Sequence, residues 1–565
     1  MALERVAQQS SSAPGSQRMS NAELIVRILQ AAGIRHGFGV PSGNVLPLMD
    51  AMRSGGIDFV LTAHEGSAAF AADVTGRMTG VPGLCIATLG PGATNLTTGV
   101  GSAWLDRSPL IAITCTLNEA QLGRRLQMWI DHHALFKPIT KATLRLRPGE
   151  IVATLSQALQ LALSEPQGPV HLDLPEDVAL AQATETLAQA TEALAPATGT
   201  ARALPVGIPL ADAPEAAIQR AGELLRGARR PIAVIGASAM RMRDPLLLRA
   251  FVERHELPFA TTMMAKGLID EDHPLSLGCI ERAMRKFQRA LLQSADLVLG
   301  LGYDTVEVEY EAWTGKVPVL HVGTERADVD AGVRVAHEVV GDLDAALARL
   351  AALPAAANDW PAQAASRHRD AFQQALRPPT DGFSPHQAID VVRQVLPREG
   401  VLAFDIGAHT HQIGSQWTAH APRTFLITNG WSSMGFGIPA ALAAKLARPD
   451  LPVVCMLGDG CFQMTCGEVA VAQREGLAIP FVVLDDRWLS LIKVKQDRRG
   501  LPYYGTEVSQ RDYPPPPAHY FGVPAVGVDS AAGLERELRK ALAADGPTII
   551  EALVDPAHYA QTVFD

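Results

Sequence analysis

Two short runs near the C-terminal end carry side chains suited to a cation. Gly458-Asp459-Gly460-Cys461 closes a strand-like run, VVCML, and Asp486 closes another, PFVVLDD. Aspartate carboxylates are hard oxygen ligands of the kind magnesium or calcium takes together with phosphate, and the two glycines let the backbone approach phosphate oxygens. Each run ends where open α/β sheets bind ligands, outside the carboxyl ends of buried strands. The pair reads as a site for a divalent cation and a diphosphate, although a GDG triplet on its own is as readily a plain turn.

At the other end of the chain, LTAHEGSAAFAADVTGRMTG (residues 61–80) leads an apolar strand into a small-residue helix that opens on one acid, Glu65. An acid in a first helical turn commonly does no more than complement the helix dipole at a surface. Residues 67–72 are almost all Ala, Ser and Phe. That composition predicts a helix start packed against a neighbour, and a carboxyl whose pKa is raised by burial and suited to proton exchange.

These two features occur with GVPSGNVLP (39–47), GPGATNLTTGVGSAWLDRSPLIAIT (90–114), GPVHLDLPEDV (168–178) and GWSSMGFGIPAALAAKLA (430–447). Together they resemble the thiamine-diphosphate enzymes of the acetolactate synthase and pyruvate oxidase group, from about residue 21 to 551 and in the family's order. The resemblance implies an α/β fold of three doubly wound parallel-sheet domains. It also implies that Glu65 hydrogen-bonds the aminopyrimidine of thiamine diphosphate and shuttles the proton that activates the thiazolium carbon. Met434 is implied as the wedge under a bent cofactor, a place where ordinary core packing is the alternative. The Ser432 carbonyl is implied as the aminopyrimidine's acceptor.

FDIGAHTHQIG (404–414) resembles the family's diphosphate loop, with Gly407, Ala408 and His409 offering amides at a helix start. His409 reads equally as a capping or solvated histidine. Mg2+ is implied at Asp459, Asp486 and the Trp488 carbonyl, with Gly458, Gly460 and Cys461 beside the diphosphate. Most members have asparagine at the place of Asp486, and Asp485 competes for its role. Gly39, Ser42 and Gln127 fall where relatives surround the reacting carbonyl, and Leu489, Leu491, Ile492 and Lys495 where they face the second substrate. His132 and His133 resemble the pair of the simple decarboxylases but are offset from it, so a structural role stays open. The tryptophan that biosynthetic members carry at the place of Lys495 is absent, and a lysine there pairs an anionic acceptor or is simply solvated.

In ADLVLGLGYDTVEVEYEAW (295–313), Tyr303-Asp304 stand where flavin-dependent relatives have an Arg-rich segment. The chain is most like the flavin-independent, catabolic-type acetolactate synthases, so FAD is not expected. The expected activity is decarboxylation of a 2-oxo acid, pyruvate, followed by addition of the acyl carbanion to a second carbonyl. The alternatives are a non-ligating decarboxylase or carbon–carbon lyase and, from another class, an inactive cofactor-binding regulatory paralogue. Active sites between subunits of a homodimer or homotetramer are implied.

Composition agrees. The 565 residues are 47% hydrophobic, enough for about three domains. A net charge of −10 without a long basic run argues against nucleic acid or an anionic membrane as partner. Six scattered cysteines, none in CxxC, read as reduced thiols in a cytoplasm. Residues 1–18 read as a polar, disordered tail. The pyrimidine-binding domain is expected over 19–180, a central domain over 205–353 and the diphosphate-binding domain over 383–565, with Ala/Pro-rich linkers at 181–204 and 354–382.

Overall fold

Short, β-branched runs separated by small-residue helices fold here into three parallel sheets. The structure, a computed structural model, describes residues 19–186, 188–189, 207–308, 310–355, 358–509 and 515–563. The expected tail and most of the first linker lie outside these residues. The first sheet holds β1 (His36–Gly39), β2 (Asp58–Leu61), β3 (Gly83–Thr88), β4 (Leu110–Thr116), β5 (Ala142–Arg145) and β6 (Pro169–Pro175) in the order β2-β1-β3-β4-β6-β5, every pair parallel.

The second sheet holds β7 (Pro231–Ile235), β8 (Phe259–Thr261), β9 (Ser276–Cys279), β10 (Leu297–Leu301), β11 (Val319–Gly323) and β12 (Val335–Val340) in the order β12-β11-β10-β7-β8-β9. The third holds β13 (Val401–Phe404), β14 (Phe425–Leu426), β15 (Val453–Gly458), β16 (Pro480–Asp485), β17 (His519–Tyr520), β18 (Val523–Val528) and β19 (Thr548–Leu553) in the order β14-β13-β15-β16-β19-β18-β17. Only β17 pairs antiparallel, as an edge ribbon on β18. The expected α/β class of three doubly wound parallel sheets is the observed one. The second joint carries the helix Ala364–Ala375, whose Phe372 packs with Ala283, Met284 and Leu376. Among the described residues no helix is long and apolar enough to cross a membrane.

The first and third sheets share one core within the chain. Helix Glu65–Thr79 packs on helix Gly437–Ala447, with Phe70 edge-on to Phe436 at 5.5 Å. The small residues of these helices permit close approach, since helix separation follows side-chain size at the contact. A Cβ on Gly99, in helix Pro91–Leu105, would lie 2.5 Å from the Ala69 Cβ and 2.6 Å from the Phe70 amide.

Candidate active site

In the third sheet the strand order reverses between β13 and β15, so the loops after these strands open a crevice at a topological switch point. The Asp459, Asp485 and Asp486 carboxylates gather there, because β15 and β16 are neighbours and Gly458 pairs with Leu484. Asp459 Oδ1 accepts from the Gly460 amide at 2.7 Å and Oδ2 from the Arg487 amide at 3.0 Å. Asp485 Oδ1 accepts from the same Arg487 amide at 3.2 Å, and Asp486 Oδ1 from the Trp488 amide at 3.0 Å.

Withdrawal from water, and then the mutual repulsion of the three acids, hold the Asp459 and Asp486 carboxyls above the usual carboxylate range. A divalent cation reverses that penalty, and an all-oxygen acidic donor set is what Mg2+ or Ca2+ takes. Asp459 and Asp486 are the oxygen donors such an ion takes, and Asp485, which shares the Arg487 amide with Asp459, stands behind them.

On the β13 side, Gly407 precedes helix Ala408–Gln416, and the His409 ring is folded back over two glycines. A Cβ on Gly407 would lie 2.7 Å from that ring and one on Gly458 3.1 Å. Burial lowers the His409 pKa to about 4, so the ring is neutral, and its Nε2 is buried with no partner. An orphaned polar atom beside helix-start amides fits a diphosphate. Cys461 does not face this space: its thiol donates to the Ile406 carbonyl at 3.0 Å and is buried, leaving only its backbone toward a ligand.

Met434 and Leu489 roof Gly460, their terminal carbons 3.4 and 2.8 Å from where its Cβ would stand. The Met434 loop is tied down from two directions. Buried Asp405 accepts from the Gly435 and Gly437 amides at 3.0 and 2.9 Å. From the first domain, Asp106 accepts from the Asn429 and Gly430 amides at 3.1 and 2.7 Å and pairs with Arg77 at 2.9 Å. Ser432 takes a φ of +52°, its hydroxyl donating to the Asn429 carbonyl. Leu491 packs against Ala408, Val494, Tyr559 and Val563, while Ile492 is exposed and Lys495 half-buried on helix Ser490–Arg498.

Glu65 opens its helix as expected, with His64 as N-cap accepting from the Gly66 amide. Its Oε2 accepts from Asn95 Nδ2 at 2.9 Å, and Gly92 leaves room for Oε1. Within one chain Glu65 is half-buried, less enclosed than its apolar neighbours predicted, because those neighbours face the helix core and the acid stands at the open end. The helix start is gripped from the third domain by Glu468, whose carboxylate accepts from the Ala63 and His64 amides at 3.1 Å.

Gly39 ends β1 so close to the Ile86 carbonyl that a Cβ would stand 2.2 Å from it. Ser42 Oγ is buried without a partner, and Gln127 is exposed. His132 is not presented to a substrate. It lies buried among Thr114, His171 and Asp173, because its short helix, His132–Phe136, turns the ring into the sheet. His133 is half-buried and bonds Thr143.

The residues thus form two groups, one around Asp459 and Met434 and one around Glu65. Within the chain the two groups are tied through Glu468 and Asp106, but among the described residues no hydrogen bond or ion pair joins the Glu65 side chain to Asp459, Asp486 or Met434. Sequence reasoning missed Asn95, Asp405, Glu468 and the Arg77–Asp106 pair. Asn95, Asp405 and Asp106 sit inside recognised motifs and Glu468 shortly after one, a signal that was available, but the amides around Met434 that reveal Asp405 and Asp106 lie distant in sequence.

Three family models match in chain order. They are the N-terminal thiamine pyrophosphate binding domain over residues 19–135, the central domain of thiamine pyrophosphate enzymes over 218–350 and the C-terminal thiamine pyrophosphate binding domain over 405–552. The acetolactate synthase isozyme 1 large subunit of Escherichia coli K12 is 30% identical over 551 residues, spanning 95% of this chain and 94% of its own. The chain belongs to the thiamine pyrophosphate enzymes of the acetolactate synthase group. A probable acetolactate synthase large subunit of Methanocaldococcus jannaschii is 29% identical, over 95% of this chain and 92% of its own. The acetolactate synthase large subunit of Lactococcus lactis is 28% identical, over 96% and 93%. In this thiamine pyrophosphate enzyme the Glu65 group lies in the N-terminal cofactor domain and the carboxylate cluster in the C-terminal one.

Proposed function

We propose that the protein is a thiamine-diphosphate- and Mg2+-dependent carboligase that decarboxylates pyruvate and joins the remaining two-carbon unit to a second 2-oxo acid, forming acetolactate or a close analogue. The observation that carries this reading is the pairing of an acid held by Asn95 at a helix start with a three-carboxylate crevice under Met434, in a chain whose relatives are acetolactate synthases along almost its whole length. Thiamine diphosphate, when bound, supplies a nucleophilic carbon and a sink for the electron pair released with carbon dioxide.

The chain's own residues provide position and charge. Asp459 and Asp486, with Asp485 behind them, would hold Mg2+, and the amides of Gly407 and Ala408 with the orphaned Nε2 of His409 would hold the diphosphate. Met434, fixed through Asp405 and Asp106, shapes the floor on which the cofactor bends. Glu65 Oε2 is occupied by Asn95, leaving Oε1 to take up and return a proton. Gly39, Ser42 and Gln127 line the approach of the first 2-oxo acid, and Ile492 and Lys495 that of the second.

The two groups come together between subunits of a homo-oligomer, the Glu65 group of one meeting the Asp459 group of the other. Supporting this are exposed Met128 and Ile130 beside Gln127, Trp431 beside Ser432, and Met464 and Ile492 beside the metal loop. The central domain works without flavin in this reading. Supporting it, Tyr303-Asp304 stand where flavin-dependent relatives carry an Arg-rich segment, and the buried Glu307 carboxyl takes up the Ala237 amide in the loop after β7 at 2.8 Å.

Pyruvate turnover tests the assignment. A ligase consumes two pyruvates for each carbon dioxide released and leaves a C5 hydroxy-oxo acid. One carbon dioxide per pyruvate with free acetaldehyde would make it a simple decarboxylase. No turnover, and no acceleration of C2 hydrogen exchange in bound cofactor, would make it an inactive paralogue.

A further inference from the structure

Outside the residues already assigned, the densest polar cluster lies at the carboxyl ends of β4 and β6. Thr114, His132, His171 and Asp173 are all buried there. The two histidines and Asp173 stand close enough to suggest a metal trio. Thr114 Oγ1, however, already bonds His132 Nδ1 at 3.0 Å, His171 Nε2 at 2.8 Å and Asp173 Oδ1 at 3.4 Å, so the three ligand atoms are taken up by one another and by a hydroxyl. The cluster has an outlet instead. His132 Nδ1 lies 3.0 Å from Asp173 Oδ1, and its Nε2 lies 3.4 Å from the Gly90 amide.

We propose that His132 is a positioning residue for Glu65, acting through the Gly90 amide; this rests on Glu65 being the acid that exchanges the cofactor's proton. Both ends of the imidazole require one tautomer. A carboxylate is acceptor-only, so Nδ1–H donates to Asp173, and Nε2 is left as the acceptor an amide N–H needs. Burial opposes the charge on Asp173, but the hydrogen bond from His132, the neighbouring imidazoles and Arg145 hold its carboxyl below the usual range.

Gly90 is a hinge that depends on such support. Its φ is +63°, a Cβ would stand 2.3 Å from the Met128 carbonyl, and it starts helix Pro91–Leu105 with no side chain of its own to cap it. Two consequences run from it. The helix carries Asn95, which bonds Oε2 of Glu65, and Gly92, whose missing side chain leaves room beside Oε1. The Met128 carbonyl packed on Gly90 sets the loop whose neighbouring residue is Gln127. His132 therefore aligns the proton-exchanging acid and the substrate-side loop from one point.

The test uses the cofactor-loaded full chain and reads C2 hydrogen exchange in bound thiamine diphosphate, with cofactor affinity and melting temperature alongside. His132→Gln can still offer an acceptor near Gly90, whereas His132→Asn reaches only as far as Asp173. Asp173→Asn donates to Nδ1 and so puts a proton on Nε2, facing the Gly90 N–H. Exchange should stay within about threefold in His132→Gln. It should fall about tenfold to a hundredfold in His132→Asn and in Asp173→Asn, the usual cost of a lost outer partner, with cofactor affinity little changed. Either of the last two variants suffices if the other does not fold. Exchange that survives in both while melting temperature drops would reduce His132 to a structural role. Glu65→Gln serves as the control: if it too leaves exchange intact, the assignment of Glu65 fails rather than that of His132.

Discussion

At the scale of single residues, the proposed chemistry rests on carboxylates with opposite tasks. Asp459 and Asp486 need a cation to ionise together, and Glu65 needs a free oxygen for a proton. Asp459→Asn should abolish Mg2+-dependent cofactor binding, read by quenching of intrinsic fluorescence, while far-UV circular dichroism stays unchanged. Glu65→Gln should keep cofactor affinity yet slow pyruvate consumption by about a hundredfold to ten-thousandfold, the range for losing a positioned proton carrier. The positions of these residues, at strand ends and a helix start, were legible in the sequence because they close contiguous apolar runs. Asp405 and Asp106 were not, since each reads as an ordinary loop aspartate until the fold brings it to the amides around Met434. Nothing in the sequence shows where the Cys461 side chain turns, which is toward the Ile406 carbonyl, with only its backbone beside the crevice.

At the scale of elements, the buried strands announced themselves as unbroken apolar runs, such as LCIAT in β3 and PFVVLD in β16, because parallel strands are covered on both faces. Less apolar strands escaped. β1 is HGFG, two glycines alternating with a histidine and a phenylalanine, and β12, VAHEVV, is half-buried along most of its length. The edge ribbon of β17 and β18 was equally silent, its VPAVGV being broken by proline and glycine. The close helix pair was legible only as composition, whereas its reason is geometric. Gly99→Val should force helices Glu65–Thr79 and Pro91–Leu105 apart and destabilise the fold by about 1–3 kcal/mol, as overpacking does, measured by urea denaturation. Glu65 rides on that pair, so cofactor activation should fall with it.

At the scale of the molecule, two kinds of buried group set opposite pH slopes. Burial lowers His171 and His558 to about 3, below the 6.5 of an exposed histidine. The unfolded chain therefore binds more protons below pH 6.5, and the stability these neutral rings contribute, complete above 6.5, drains away as pH falls. Burial raises Glu307 from 4.5 to about 8, so the folded chain holds the extra proton, and stability declines as pH rises from 4.5 to 8. Each group contributes up to about 1.4 kcal/mol per pH unit inside its window. From pH 6.5 to 8 the histidines have largely finished titrating while Glu307 still draws stability down, so melting temperature should fall across that window and Glu307→Gln should flatten the fall. A melting temperature rising steadily to pH 8 would contradict this.

Shared sites between subunits make a separate prediction. A Glu65→Ala chain mixed with an Asp459→Ala chain should recover part of the activity, and silence of the mixture would reject the sharing. The central claim is that a proton-carrying acid in the first domain and a cation-binding carboxylate cluster in the third serve one cofactor. Calorimetric titration of the full chain with thiamine diphosphate, with and without Mg2+, tests it most directly. The account predicts saturable uptake of one cofactor per chain that requires Mg2+ and disappears in Asp459→Asn. No uptake, or uptake indifferent to both the metal and Asp459, would contradict it.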